Sequence, residues 1–136
     1  MLSNASKYAL RAILFLANNA TEDNKLSAKI LSEEIKVPKP FLSKILQQLA
    51  TKSFVTSIKG PNGGFYISED QMEANLLSVI IEVEGKDRFN QCALNIDNCN
   101  LENPCSLHKY IAPSKEALRD SFSRVRVEDL HESMLA

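Results

Sequence analysis

Two helical patterns a few residues apart, followed at once by two strand-like segments, constrain the fold of this chain more than any other feature. Leu31 and Ile35 lie four residues apart behind Ser27, a residue type that caps helices. The helix that they predict ends before Pro38, because a residue that precedes proline disfavours the helical conformation. A second helix is predicted from about Pro40 to about residue 52. Its apolar residues recur at intervals of three and four: Leu42, Ile45, Leu46 and Leu49. Two helices joined by so tight a turn are typical of a helix-turn-helix.

The segments after the second helix predict a β-hairpin. Residues 53–58 and 64–68 alternate with the two-residue period of strands, and the five residues between them are typical of a turn: Lys59-Gly60-Pro61-Asn62-Gly63. Glycine adopts backbone angles that other residues avoid and lets the chain approach a phosphate closely. The predicted fold is therefore mainly α with a small two-stranded β wing, a winged helix-turn-helix.

The exposed face of the second helix is polar and basic. Hydroxyl and amide groups there can meet base edges in the major groove, while lysines meet phosphates. Residues 25–59 carry seven lysines and two glutamates, a net charge of +5, whereas the whole chain has a formal net charge of -1. Lysines concentrated in one segment attract double-stranded DNA, although charge alone leaves a solvated basic surface open. We predict DNA contacts from Ser27, Lys39, Pro40, Ser43, Lys44, Gln47, Lys59, Gly60, Asn62 and Gly63.

Three further helices are predicted outside this region. The first covers the apolar run from Tyr8 to Ala17, which is too short to span a bilayer and is not followed by a signal-peptide cleavage site. We therefore expect a cytoplasmic protein without a membrane partner. The second helix should pack against the winged domain and end at Gly85; its apolar residues are Leu76, Leu77, Ile80, Ile81 and Val83.

The last predicted helix is long and lies near the C-terminal end. Its apolar residues recur at intervals of three, four and seven: Leu107, Ile111, Leu118, Phe122 and Val125. Pro113 lies within this pattern and should kink or restart the helix. We assign residues 1–70 to a DNA-binding region and residues 71–136 to a linking helix, a cysteine loop (89–107) and the long helix.

Three cysteines lie in the loop before the last helix. Six and then five residues separate Cys92, Cys99 and Cys105, and His108 follows three positions later, whereas His131 has no such setting. An odd number of cysteines indicates a soft metal site or a reactive thiol rather than a disulfide framework. An iron–sulfur cluster, a zinc ion and a thiol switch all suit these ligands. Packed thiols do not suit the loop, because it is strongly polar: Asn90, Gln91, Asn95, Asp97, Asn98, Asn100, Glu102 and Asn103.

Taken together, these motifs resemble the Rrf2 family of bacterial winged helix-turn-helix regulators over nearly the whole chain. The resemblance rests on Lys7-Tyr8-Ala9-Leu10-Arg11, on Pro40-Phe41-Leu42 with Ile45, Leu46 and Leu49, on Lys59-Gly60-Pro61-Asn62-Gly63-Gly64-Phe65, and on the three cysteines. It implies a homodimer whose long C-terminal helix is the dimerisation helix and which binds a palindromic promoter operator. A dimer also holds two recognition helices about one DNA turn, ~34 Å, apart.

The resemblance also implies a cofactor. In iron–sulfur regulators of this family, three such cysteines and a histidine three residues after the last one hold a [2Fe–2S] cluster, and Cys92, Cys99, Cys105 and His108 occur here in matching order. The interval between the first two cysteines is one residue longer than in those members. In nitric-oxide-responsive members an acidic residue near the N-terminus of the partner subunit completes the cluster, whereas this chain has Lys7 at the corresponding place. The resemblance therefore favours [2Fe–2S] over [4Fe–4S].

These features predict a transcriptional regulator whose operator binding is controlled by an iron–sulfur cluster that senses iron, redox state or nitric oxide. One alternative is a cluster-free repressor with a zinc or thiol switch. Another is a small electron-transfer or cluster-carrier protein, which would need neither a wing nor a lysine-rich helix. The sequence contains no phosphate-binding loop, recognisable nucleophile–histidine pair or paired carboxylates, so we expect neither an enzyme nor a small-molecule substrate.

Overall fold

The computed structural model of the chain describes residues 2–86, 88–94 and 96–130, so Asn95 and His131 lie outside the described residues. Within these ranges the structure is mainly helical with one two-stranded antiparallel sheet, which confirms the predicted fold class. The α-helices are α1 (Asn4–Asn19), α2 (Ala28–Ile35), α3 (Lys39–Thr51), α4 (Leu76–Glu84) and α5 (His108–Arg124). The strands are β1 (Thr56–Ile58) and β2 (Gly64–Tyr66), and short 3-10 turns occupy Gln71–Glu73, Arg88–Asn90 and Val127–Asp129.

Side-chain caps set where three of the helices begin. Ser3 at α1, Ser27 at α2 and Asn75 at α4 each accept a hydrogen bond from the backbone N–H three residues later. Ser27 therefore begins α2 as predicted. Helix α1 begins at Asn4, before the apolar run that starts at Tyr8, because the cap at Ser3 and not the hydrophobic pattern sets its start.

The Ser27→Ala variant is expected to lower the free energy of unfolding by about 1 kcal/mol, the usual cost of removing an N-terminal cap. Urea denaturation measures this change. The matched control is Ser32→Ala in the same helix, where the hydroxyl donates only to the Lys29 carbonyl of its own helix. Because alanine is the better helix former, the control should not destabilise the protein. Equal losses in both variants would contradict the capping role.

The hydrophobic core lies between α1, α3 and α4. Ile13, Leu16, Leu46, Val79 and Ile80 are at most 1% exposed, and α1 contacts α2, α3 and α4. The predicted packing of α4 on the winged domain is therefore confirmed. The same core contains residues from both sides of residue 70. The division of the chain there into a DNA-binding region and a second functional region stays a prediction.

The wing is shorter than the sequence pattern predicts, because the residues after α3 close that helix before a strand begins. Ser53 has a φ of 63°, and the N–H of Phe54 donates to the Leu49 carbonyl at 2.8 Å. Leu26, in the segment before α2, exchanges two backbone hydrogen bonds with Phe65 of β2, at 3.1 and 2.8 Å. The wing is thereby attached to the start of the helix-turn-helix.

Helix α5 runs without interruption through Pro113, so the helix does not restart there, and the predicted kink stays a prediction. Pro113 lies in the second turn and is exposed, as is Lys109, whose carbonyl group loses its helical partner there. Because Lys109 is exposed, water can hydrogen-bond to its carbonyl in place of the lost helical partner. No residue of α5 is buried within one chain, although Phe122 contacts Phe89 with ring centroids 6.2 Å apart.

Among the described residues, no helix combines the length and the apolar character that a membrane crossing requires.

Candidate metal centre and nucleic-acid interface

The turn between α2 and α3 is fixed by three consecutive residues with different tasks. Lys36 adopts the left-handed conformation (φ 56°, ψ 49°) and its N–H donates to Ser32. Val37 is 3% exposed and anchors the turn in the core, and Pro38 precedes the first residue of α3. This arrangement presents α3 as the second helix of a helix-turn-helix, the helix that enters the major groove in such motifs.

Helix α3 has one buried and one exposed face, as its sequence pattern predicts. The buried residues are Leu42, Ile45, Leu46 and Leu49. Among the α3 residues predicted to contact DNA, Lys39, Pro40, Lys44 and Gln47 are exposed, and Ser43 is half-buried. Ser27 is half-buried and caps α2. The structure thus leaves the α3 side chains accessible to a groove, and their contacts with DNA stay a prediction.

Phe41 is an exposed residue of α3 that the sequence pattern did not predict to contact DNA. Its side chain is 63% exposed in the first turn of α3, outside the buried stripe. Apolar side chains at such positions can contact thymine methyl groups in the major groove. The signal in the sequence was a large aromatic residue out of phase with the apolar positions of its helix.

The tip of the wing is a tight turn that depends on glycine. The N–H of Gly63 donates to the Gly60 carbonyl at 2.9 Å, and Gly60 has a φ of 109°. A Cβ atom on Gly63 would lie 2.1 Å from the backbone oxygen of Ile58, so no other residue fits there without movement. Lys59, Gly60 and Asn62 are exposed at this tip, and Gly63 is half-buried. Gly63 therefore maintains the turn that keeps Lys59, Gly60 and Asn62 exposed at the tip.

Two kinds of variant distinguish base reading from phosphate contact. Ser43→Ala and Gln47→Ala are expected to change which base is preferred, at about 1–3 kcal/mol for a lost base contact. Lys59→Ala is expected to weaken binding to all duplexes alike and to reduce the slope of log affinity against log salt concentration by about 1. Fluorescence anisotropy on a selected duplex and on a scrambled duplex, at several salt concentrations, measures both effects. The reverse pattern would place the reading face elsewhere.

The three cysteines come together in one group. Their sulfur atoms all lie within 4.8 Å of one another, and the Sγ atoms of Cys92 and Cys105 are 3.7 Å apart. The backbone N–H of Cys105 donates to Cys99 Sγ at 3.2 Å. All three side chains are half-buried. The loop thus presents three sulfur donors at the spacing of a metal site.

His108 is not part of this group of donor atoms in the described chain. It is the first residue of α5, and its backbone N–H donates to the Cys105 carbonyl at 3.0 Å. Its side chain borders the same small cavity as Cys92 and Cys105. His108 is therefore adjacent to the cysteines, and its predicted role as the fourth ligand stays a prediction.

The thiols of Cys92 and Cys99 differ in acidity. Backbone hydrogen bonds, chiefly from Ile96 and also from Leu94, outweigh partial burial and lower the pKa of Cys92 to about 7. At Cys99 the backbone hydrogen bond from Cys105 favours the thiolate, but partial burial and the neighbouring thiols outweigh it and raise the pKa. Metals bind the thiolate form. Of these two cysteines, Cys92 is thus the better prepared to bind a metal at neutral pH.

The donor set fits a soft metal ion or an iron–sulfur cluster. Thiolates are the usual protein ligands of iron–sulfur clusters and common ligands of zinc. Two thiolates on one tetrahedral ion, each about 2.3 Å from the metal, lie roughly 3.8 Å apart, close to the separation of Cys92 and Cys105. An open, polar cavity of about 660 Å³ borders Cys92 and Cys99 and leaves room beside the sulfurs.

A sequence model described as "Rrf2: Iron-dependent Transcriptional regulator" matches residues 2–133. The chain belongs to the Rrf2 family. A protein of Aquifex aeolicus assigned as an HTH-type transcriptional regulator is 28% identical over 132 residues, which cover 96% of this chain and 90% of the relative. The Rrf2 chain is also 28% identical to the HTH-type transcriptional regulator NsrR of Geobacillus kaustophilus, over 96% of this chain and 89% of the relative.

Solved structures show the same Rrf2 fold. CymR (YrzC), the global cysteine regulator of B. subtilis, superposes with a TM-score of 0.76 and 17% identity, covering 98% of this chain and 97% of that one. IscR of T. potens superposes with a TM-score of 0.69 and 18% identity, covering 95% and 84%. The predicted family is confirmed. Rrf2 membership makes the chain a transcriptional regulator, which favours this function over an enzyme or an electron carrier.

Proposed function

We propose that this Rrf2 protein regulates transcription by binding an operator under the control of an iron–sulfur cluster held by Cys92, Cys99 and Cys105. The observation that carries the proposal is the group of three sulfurs within 4.8 Å of one another in a chain whose family is described as iron-dependent. The exposed face of α3 and the lysine-rich segment 25–59 support double-stranded DNA as the partner.

The active species in this proposal is a homodimer on a palindromic operator. Helix α5 supports a homodimer, because it is 17 residues long and has an apolar stripe, yet none of its residues is buried within one chain. Ile111, Leu118 and Phe122 are half-buried and are available to a second copy. A dimer through α5 would hold two α3 helices for successive half-sites.

The cysteine loop links the metal site to DNA binding in this proposal. Residues 89–107 lie between α4, which packs in the core, and α5, the proposed dimer helix. When bound, the cluster supplies a centre that responds to iron supply, redox state or nitric oxide. The three thiolates then hold the loop closed and fix the angle between α4 and α5. Because both half-sites must match, a change in this angle can shift affinity by about 1–3 kcal/mol, the usual size of allosteric coupling.

We favour a [2Fe–2S] cluster because the exposed Lys7 of α1 offers no carboxylate for the [4Fe–4S] arrangement. His108 is the proposed fourth ligand, since it borders the cavity that Cys92 and Cys105 share. The second candidate is a cluster-free regulator with zinc or a thiol switch. The 3.7 Å separation of two sulfurs supports it as well, because that distance suits two ligands of one tetrahedral zinc ion. Either form needs reduced thiols, in keeping with a cytoplasmic location.

Anaerobic purification followed by spectroscopy and DNA binding tests the proposal. We expect visible absorption bands, iron and sulfide in near-equal amounts per chain, and different affinities of loaded and stripped protein for a duplex selected from a random pool. A colourless protein that cannot be reconstituted and holds one zinc ion per chain would support the second candidate. Equal affinities of the loaded and stripped forms at all salt concentrations would contradict control by the cluster.

A further inference from the structure

One side chain of α3 bonds to α4 instead of facing a groove. Gln48 is exposed, yet its Nε2 donates to the backbone carbonyl of Glu82 at 2.9 Å, across 34 residues of sequence. Its neighbour Gln47 lies on the face predicted to read bases. The two glutamines therefore have the same chemistry and adjacent positions, but different surroundings.

The acceptor of this hydrogen bond is an end group of α4. The last four carbonyls of an α-helix have no partner within the helix. In α4, Gly85 donates to the Ile81 carbonyl, and Gln48 donates to the next one, that of Glu82. Gln48 thus caps the C-terminus of α4 from the recognition helix.

The C-terminus of α4 is also where the path to the cysteines begins. The chain passes from Glu84 through Gly85 and the 3-10 turn Arg88–Asn90 to Cys92. The start of α1 meets the same point, since the N–H of Ser3 donates to Glu84 Oε1 at 2.6 Å. A change in the cysteine loop therefore acts first on the end of α4, and Gln48 is the side chain of α3 bonded to that end.

We propose that Gln48 is a positioning residue that couples the cysteine loop to the recognition helix. Its hydrogen bond to Glu82 makes the orientation of α3 depend on the last turn of α4. Without the bond, α3 keeps its buried contacts and its reading face but no longer follows the state of the loop. This inference rests on the proposed control of DNA binding by the metal site and names a residue through which that control acts.

The coupling ratio, the Kd of stripped protein divided by that of loaded protein on the same selected duplex, tests this role. Gln48→Ala is expected to change the coupling ratio toward one by a factor on the order of five, because the variant loses one neutral hydrogen bond. The control Gln47→Ala is expected to weaken both forms and leave the ratio unchanged. Gln48→Lys, which can still donate to the carbonyl, is expected to restore the ratio, because its added charge affects both forms alike.

A second measurement uses the metal-free protein alone. Amide hydrogen exchange over residues 81–86 is expected to accelerate in Gln48→Ala and to stay unchanged in Gln47→Ala. Unchanged exchange, or a ratio in Gln48→Ala equal to that of the wild type, overturns the role of Gln48. A wild-type ratio of one contradicts the proposed function itself, whereas a wild-type ratio different from one with no response to Gln48→Ala contradicts only this inference.

Discussion

The Gly63→Ala variant is expected to lose roughly tenfold or more in DNA affinity while its helical core stays folded, since an inserted atom that forces the backbone to shift costs about 1–3 kcal/mol. The added Cβ atom would lie 2.1 Å from the Ile58 oxygen and 2.9 Å from the Gly60 oxygen. Both are backbone atoms, so the turn must open. The sheet that holds the wing has only three residue pairs, Thr56↔Tyr66, Ser57↔Phe65 and Ile58↔Gly64, and has little capacity to absorb the movement.

Anisotropy with a selected duplex measures the affinity of Gly63→Ala, and circular dichroism reports the helices. Asn62→Ala is the matched control, because Asn62 is exposed at the same tip and its replacement removes a side chain without adding a clash. We expect the control to lose much less affinity. Normal binding by Gly63→Ala would mean that the wing does not contact DNA in the proposed way.

The Cys105→Ala variant is expected to retain less than about a tenth of the metal of the wild type, since each of three donors is needed for a soft metal site. Cys105 contributes a sulfur 3.7 Å from that of Cys92, and its backbone N–H bonds to Cys99 Sγ. Its loss therefore leaves two thiolates and the proposed ligand His108 for a centre that requires four donors. Elemental analysis and the visible spectrum measure the loss.

Ser106→Ala is the control for this variant, because Ser106 is the exposed neighbour of Cys105. The control should retain its metal. DNA binding by Cys105→Ala should persist with the affinity of stripped wild-type protein, because α3 and the wing are unchanged. Full metal content in Cys105→Ala would contradict the proposal that the three cysteines hold the metal.

Local sequence signals predicted the helix-turn-helix well. Ser27, Pro38 and the apolar spacing of α3 each act within one or two turns of chain, so their effect can be derived without tertiary structure. The start of α1 and the length of the wing could not be derived in this way. Ser53 adopts the left-handed conformation although it is not glycine, and packing after α3, which a local pattern does not record, imposes it.

The sequence likewise predicted one feature of the cysteine loop and not another. The polar sequence around three cysteines predicted that the thiols would gather, since such a loop gives them no core to enter. The relation of His108 to them depends on how α5 begins, which is set by tertiary contacts of the loop. Gln48 also carries no local signal, because its partner Glu82 lies 34 residues away.

The two backbone hydrogen bonds between Leu26 and Phe65 have a consequence for the geometry of the operator. They join the wing to the segment that leads into α2, and the approach is close, because a Cβ on Gly64 would lie 2.9 Å from the Leu26 oxygen. The wing and the helix-turn-helix therefore move as one body. If α3 and the wing contact DNA as proposed, the number of base pairs between their contacts within a half-site is fixed, and one inserted base pair there is expected to abolish binding. In the proposed homodimer only the spacing between half-sites can be adjusted, since it depends on how two chains meet.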